Sequence, residues 1–484
     1  MDINDNVLEF QRIQSRARAR ARVEAEQEAA ALAAAQAEAA EQEADDDDEG
    51  KPNWAARELL SDFVGDERRG PGMDKPFLVI TLMLMAIGLI MLLSASFATS
   101  NYMTGRPLFL FRNQAIFAVS GVLIMLIVSK INIRVISRWS THLLFASIIM
   151  LVLVLLIGIR INGATRWLGF SSDGENMLFS FQPSEIAKLA VILAFAQMAC
   201  KFGAKRMKTF KHGVLPFAAI TLLIVALLWQ QPHVSAAIII ASIAVVMMFA
   251  GGTRLRYFII PALSGVVIIG IVLFPALLGS IRDDGVQGGV VSAAAQQEIE
   301  NSGFNFSSLG HWGRRIDIWL NPDADPLHGG FQTRQSLNAV GSGGFLGQGL
   351  GQSRQKHYLP EEHNDFIFAI VAEELGFVGA MLILSLFALL IIRGYWLALH
   401  AKDRFSALVV VGITSLMAIQ VFFNVAVVTN LIPATGISLP LFSYGGTALW
   451  MQLVKIGIVL SVSREIPLAG REEVTDLEQH ETLA

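Results

Sequence analysis

The chain has 484 residues, of which 53% are hydrophobic and 16% charged, and its formal net charge is -4. Soluble domains carry about 25% charged residues, so with a mean hydropathy of +0.52 a soluble globular domain is excluded. The net charge is a local property of an acidic N-terminus, and nothing in it points to nucleic acid.

Residues 1–75 form a low-complexity tail. Arg16, Arg18, Arg20 and Arg22 alternate with alanine, an Ala/Glu/Gln stretch follows, and Asp45–Glu49 are all acidic. The composition favours helix but has no apolar stripe, so it cannot build a core. A solvated tail is expected, with docking to a partner or to anionic lipid through the arginines as the sharper alternative.

From residue 76 apolar runs recur at lengths of about 18 to 25 residues, enough to cross a bilayer as helices. Spans are expected near 76–97, 113–129, 141–159, 183–200, 214–229, 233–250, 257–280, 366–392, 405–429 and 440–462. The fold class is therefore an all-α polytopic membrane protein of about ten transmembrane helices, followed by a short tail at 466–484. Lys130, Arg134 and Arg138 share one expected loop, Lys201–Lys211 another, and Arg254, Arg256, Arg393, Lys402 and Arg404 two more. These are alternate loops, and cytoplasmic loops are enriched in Lys and Arg. Both termini are expected to be cytoplasmic, and 98–112, 160–182, 281–365 and 430–439 extracytoplasmic. The single cysteine, Cys200, ends an apolar run and reads as a packed thiol.

Several polar motifs interrupt this pattern. In 160–182, Arg166 beside Trp167 can grip an anionic headgroup or simply snorkel to the interface. Gln182-Pro183-Ser184-Glu185 opens the fourth span. Glu185 and Lys188 lie three apart on one helical face, and a structural ion pair is the first expectation.

The 281–365 loop, between the seventh and eighth spans, carries the densest chemistry: Arg314, Arg315, Asp317 and the run Asn321–Pro326. Asp325 stands before Pro326 and a Gly329-Gly330 turn, so its carboxylate can project with little freedom and serve as a proton acceptor. The alternative is an aspartate capping its own turn, for which Asp323 is the better candidate. Gly341–Gly351 permits close backbone approach to a phosphate or sugar, or forms a plain surface turn; it is neither a Rossmann nor a P-loop fingerprint. Lys356–Asp365 closes the loop. Glu361, His363 and Asp365 can hold a divalent cation, although their spacing matches no strong metal signature, and Asp365 can equally cap the next helix. Finally, Leu439–Gly446 opens the last span with a proline and paired glycines, the pattern of a broken helix lining a cavity.

Taken together, NGATRWL (162–168), QPSEIAKL (182–189), NPDADPLHGGFQTRQS (321–336), GGFLGQGLG (343–351), YLPEEHNDFIFAIVAEELG (358–376) and LPLFSYGG (439–446) resemble the SEDS (FtsW/RodA) family of peptidoglycan polymerases over about 76–465. The resemblance implies polymerisation of lipid II, an undecaprenyl-diphosphate-linked disaccharide-peptide, on the outer face of the bacterial cytoplasmic membrane. It implies Asp325 as the catalytic residue. Arg166, Lys356, Glu361, His363, Asp365, Ser443 and Tyr444 are the expected substrate-binding set, and a divalent cation (Mg or Mn) is the only cofactor in view. The long N-terminal extension and Thr435–Pro440 resemble the division branch more than the elongation branch. A class B penicillin-binding transpeptidase and other divisome proteins are the implied partners. His233 stands where family members commonly carry an acidic residue. A lipid II flippase, an elongation polymerase and a noncatalytic scaffold are the competing expectations.

Overall fold

The computed structural model describes residues 72–161, 164–171, 177–259, 315, 318–319 and 329–466. Among them, eight helices are long and apolar enough to cross a membrane, and Val234–Ala250 is a further, shorter apolar helix. In chain order the helices are α1 (Lys75–Thr104), α2 (Phe109–Val128), α3 (Ile133–Ile157), α4 (Pro183–Met207), α5 (Leu215–Gln230, entered through a single turn at Phe210–Gly213), α6 (Val234–Ala250), α7 (Gly329–Gly343), α8 (Ile367–Leu399), α9 (Arg404–Val428) and α10 (Gly446–Ser463). Most of the expected 257–280 span, both tails and 320–328 lie outside the described residues.

The helical framework agrees with the sequence expectation; two helix starts differ from it, and a segment expected as loop carries strands. The third span starts at Ile133, so Arg134 and Arg138 lie on α3 itself rather than in a loop; Asn132 caps it through Arg134 N at 2.9 Å. The last helix starts only at Gly446. Residues 440–445 are irregular because Pro440 donates no hydrogen bond and Leu441 adopts φ +67°, a left-handed conformation that helices exclude. Between α3 and α4 the chain adds a small antiparallel meander, β1 (Ile159–Ile161), β2 (Ala164–Ser171) and β3 (Met177–Phe181).

Hydrogen bonds between helix ends give the bundle two distinct poles. Arg404 Nη2 donates to Gly251 O at 2.8 Å, Thr253 Oγ1 to Gly213 O at 3.0 Å, and Ser461 Oγ to Ile131 O. These join the ends of α10, α2, α6 and α9 at one pole, where Lys130, Arg134, Lys205, Arg206, Arg254 and Arg404 gather. At this pole Asp74 caps α1 through Phe77 N at 2.9 Å and receives Arg393 Nη2 at 2.6 Å, while the guanidinium stacks 3.9 Å above Trp396. The opposite pole carries the meander, α7 and the loops at 344–366 and 430–445. Helices α9 and α10 are 72% buried within the bundle against 22% for α2 and α5, so α9 and α10 form its centre. Helix α2 packs along α10, where Phe117 and Trp450 meet edge to face at 5.1 Å.

Helix α8 is broken at Gly376 (φ +67°, ψ -169°). The glycine-rich stretch crosses the break and supplies the missing ladder: Gln348 N and Gly349 N donate to Glu373 O and Glu374 O at 3.0 Å, and Phe377 N and Val378 N donate to Gly344 O and Phe345 O at 2.9 and 3.1 Å. A Cβ at Gly376 would strike Gly347 N, and one at Gly347 would strike Glu374 O. The glycines therefore admit another backbone, and the ligand they approach is the chain's own helix.

Candidate functional site

A cavity of about 520 Å³ opens at the pole opposite the cations. Its position follows from local sequence. Strand β2 brings Arg166 and Trp167 to the rim, and β3 runs straight into Gln182 and Pro183, so the first turns of α4 place Glu185 and Lys188 in the wall. His233, just before α6, faces them, with Gln182 Nε2 3.2 Å from His233 Nε2. The opposite wall is built from Glu361, Asn364 and Asp365, and from Gly436, Ser438, Tyr444 and Gly445.

The loops of that wall are fastened to each other. Tyr444 N donates to His363 O at 2.8 Å, Ser443 Oγ to Asn364 O at 2.6 Å, and Asn424 Nδ2 to both Asp365 O and Ile437 O at 2.8 Å. Ser235 Oγ donates to Thr435 O. Gly436 (φ +72°) lets the carboxylate lie close: a methyl there would stand 3.1 Å from Asp365 Oδ2. Arg315 and Trp319 also line the cavity, donating to Ala434 O at 2.6 Å and Asn430 O at 2.9 Å.

The charges are arranged in opposition. Arg166 Nη2 donates to Pro232 O. Burial lowers the Arg166 pKa, and the neighbouring Arg315 lowers it further. Each guanidinium thus raises the cost of the other's charge, a strain that an anion between them would relieve. Burial pushes the Asp365 carboxyl up to about 6, with Glu361 adding to the shift and Arg315, Arg166 and His363 opposing it. Burial, then Arg166 and Lys188, hold the His233 imidazole neutral, down at about 3. Its Nδ1 and the Arg166 Nε are buried without hydrogen-bond partners. A cavity with orphaned polar atoms and a shifted carboxylate is the usual signature of a binding site.

The expected Glu185–Lys188 ion pair forms. It has a third member that sequence reasoning missed: Lys455 of α10, whose Nζ lies 3.6 Å from Glu185 Oε2. The available signal was a lone lysine inside an apolar span.

The expected substrate-binding residues divide. Arg166, Glu361, Asp365 and Tyr444 line the cavity. His363 turns aside, its Nδ1 3.4 Å from Glu362 Oε1 and its ring 5.8 Å from Tyr444. Ser443 ties loop to loop. Lys356 is buried elsewhere, donating to Gly351 O at 2.5 Å and standing 3.7 Å from Glu374 Oε1. Among the described residues no group of three or more metal-binding side chains converges, so Glu361, His363 and Asp365 do not by themselves form a metal centre. Asp325 lies outside the described residues, in a segment flanked by the cavity-lining Trp319 on one side and Gln332 and Thr333 on the other.

Fold and site define a helical membrane protein with a polar, oppositely charged cavity at one pole of its bundle. The family model of the FtsW/RodA/SpoVE cell cycle proteins matches residues 75–467, and the chain belongs to that family. It is 39% identical over 394 residues to stage V sporulation protein E of Bacillus subtilis (strain 168), covering 81% of this chain and 97% of that protein. It is 36% identical over 417 residues to a probable peptidoglycan glycosyltransferase FtsW of Trichlorobacter lovleyi, covering 83% and 98%. A solved chain from work on a peptidoglycan synthase complex that coordinates polymerization and crosslinking is similar with a TM-score of 0.63 at 26% identity, covering 81% of this chain and 98% of that one.

Proposed function

We propose that this chain is a peptidoglycan glycosyltransferase that polymerises lipid II during septal wall synthesis, working in the bacterial inner membrane with a class B penicillin-binding transpeptidase and other divisome proteins. The observation that carries this reading is the cavity in which Arg166 and Arg315 stand together opposite Asp365 and Glu361. A lipid-linked diphosphate is the anion that such a guanidinium pair suits, and sugar hydroxyls suit the carboxylates. The relatives' names and the synthase complex support the same class of chemistry, and Thr435–Pro440 with the N-terminal extension supports the division role.

The reaction is one inverting displacement. The 4-hydroxyl of the acceptor GlcNAc attacks C1 of the donor MurNAc, its proton passes to a carboxylate, and the C1–O bond to undecaprenyl diphosphate breaks. Asp325 is the proposed general base, a role worth about 10² to 10⁴ in rate. Arg166 and Arg315 take up the charge that develops on the departing diphosphate. With the cavity on the extracytoplasmic side, both termini and the cationic pole are cytoplasmic.

The test is polymerisation of lipid II by the purified protein with its cognate transpeptidase, comparing wild type with Asp325→Asn. Strands from wild type and none from an equally stable variant are expected. Equal product from both would remove Asp325 as the base. Lipid II transfer across proteoliposomes without any strand synthesis would make the protein a flippase.

A further inference from the structure

One wall of the polar cavity, formed by β2, the first turns of α4 and the start of α6, holds donors that nothing in the chain answers. His233 stands immediately before α6, lines the cavity and is only 7% exposed. One of its ring nitrogens is accounted for, because Gln182 Nε2 lies 3.2 Å from His233 Nε2. An amide nitrogen can only donate, so the imidazole Nε2 accepts, and a neutral ring that accepts at Nε2 carries its proton on Nδ1. Among the described residues that Nδ1–H has no hydrogen-bond partner. Arg166 adjoins it. Its Nη2 donates to Pro232 O, the carbonyl just before His233, while its Nε–H is buried without a partner.

Helix α6 adds a third element. It starts at Val234 with no side chain capping it and no acidic residue in its first turn. Ser235 and Ala236 of that turn line the cavity. A helix start presents peptide N–H groups and a partial positive charge. The carboxylate of this wall, Glu185, is committed to Lys188 and Lys455, whereas Glu361 and Asp365 line the opposite wall. An anion with several oxygens is the ligand that suits the first wall and is repelled by the second.

We infer that His233 is a substrate-binding residue whose Nδ1–H, with Arg166 Nε–H and the first turn of α6, holds phosphate oxygens of a lipid-linked diphosphate, and that Gln182 is a positioning residue acting through the ring. The inference rests on the proposed reading of the cavity as a lipid-diphosphate site and adds its polarity. The diphosphate lies on the α4–α6 wall, and the sugars lie toward Glu361 and Asp365.

The test is binding of undecaprenyl diphosphate and of undecaprenol to the detergent-solubilised full chain. Quenching of tryptophan fluorescence reports it, since Trp167 and Trp319 line the cavity. Wild type should bind the diphosphate more tightly than the alcohol. Two variants separate a donor from a packing group. The shorter asparagine amide can place its nitrogen where Nδ1 stands, whereas a glutamine amide reaches the place of Nε2. His233→Gln should weaken diphosphate binding about 10- to 100-fold, the worth of one hydrogen bond to a charged acceptor, and leave undecaprenol unaffected. His233→Asn should stay within about threefold of wild type. The opposite order, an equal loss for both lipids, or equal binding of both lipids by wild type would overturn the inference. If His233→Gln loses its thermal transition, Gln182→Leu replaces it. That change frees the ring to carry its proton on Nε2 and should weaken diphosphate binding alone; unchanged binding there counts against the contact. Strand synthesis from lipid II is followed in parallel. A wild type that binds diphosphate through His233 yet makes no strands keeps the contact and overturns the polymerase reading. Strands from wild type, with His233→Gln binding diphosphate as wild type does, keep that reading and overturn the contact.

Discussion

Neutralising Glu185 should expose how the centre of the bundle balances its charge. One carboxylate there serves two ammonium groups, Lys188 in direct contact and Lys455 at 3.6 Å, with side chains only 5% and 1% exposed. In Glu185→Gln both ammonium groups lose their counter-charge, and breaking a buried pair in this way costs about 3–5 kcal/mol. The cavity borders the cluster, so water can reach Lys188, and the lower figure of about 3 kcal/mol is expected. Lys455 behaves differently. Its Nζ has no hydrogen-bond partner, and without it a one-to-one pair survives, so Lys455→Met should fall within about 1 kcal/mol of wild type or be more stable. The double variant Glu185→Gln with Lys455→Met should be less damaged than Glu185→Gln alone, the mark of coupled rather than additive sites. The assay is thermal unfolding of the four proteins in one detergent at one scan rate, which keeps irreversible transitions comparable. A Glu185→Gln protein that unfolds with wild type, or a Lys455→Met protein that is the worse of the two, would refute the reasoning.

Two further outcomes follow from described geometry. Gly376→Ala forces a side chain into a left-handed conformation against the Gly347 backbone, and strain of this kind costs about 1–3 kcal/mol. The neighbouring Gly341, around which a Cβ meets open space, is the control, and equal thermal midpoints for the two alanine variants would count against the splice. Asp365 has a carboxyl raised from 3.8 to about 6. The folded state therefore holds this proton more tightly than the unfolded chain does. That contribution is fully present below about 4 and is lost as pH rises through about 6. Asp365→Asn should flatten the stability profile across that window and gain on wild type above it; an unchanged slope in a pH-resolved melting series would show that other groups set it.

Much of the architecture was legible in the chain because a bilayer demands runs of about 20 apolar residues, and loop cations alternate visibly. The ends of helices were harder. Arg134 and Arg138 look like loop residues because they are charged, yet a helix at a membrane surface can carry arginines on its exposed face. Pro440 looks like a helix start, as proline often is, but the left-handed Leu441 excludes it. Arg166, Glu361, Asp365 and Tyr444, singled out in the sequence by charge or by the motif they stand in, line the cavity. Lys356 was harder to place, since nothing in its neighbours reveals that Glu374, eighteen residues on, lies beside it. The glycine-rich stretch misdirected for a related reason: glycine signals that something comes close, not whether that something is a phosphate or a peptide bond.

That stretch has a consequence for how the molecule comes apart. Each half of α8 ends, at the break, in peptide groups that have partners only because 344–349 lies across them. Pulling the loop away would leave those groups bare at the edge of the lipid, where an unsatisfied peptide group costs several kcal/mol. Loop and helix should thus open together as one cooperative unit, with amide protons of 348–349 and 377–378 exchanging at a single shared rate. An affinity tag spliced into this stretch would act as a wedge in a membrane helix, however exposed its insertion point looks from outside.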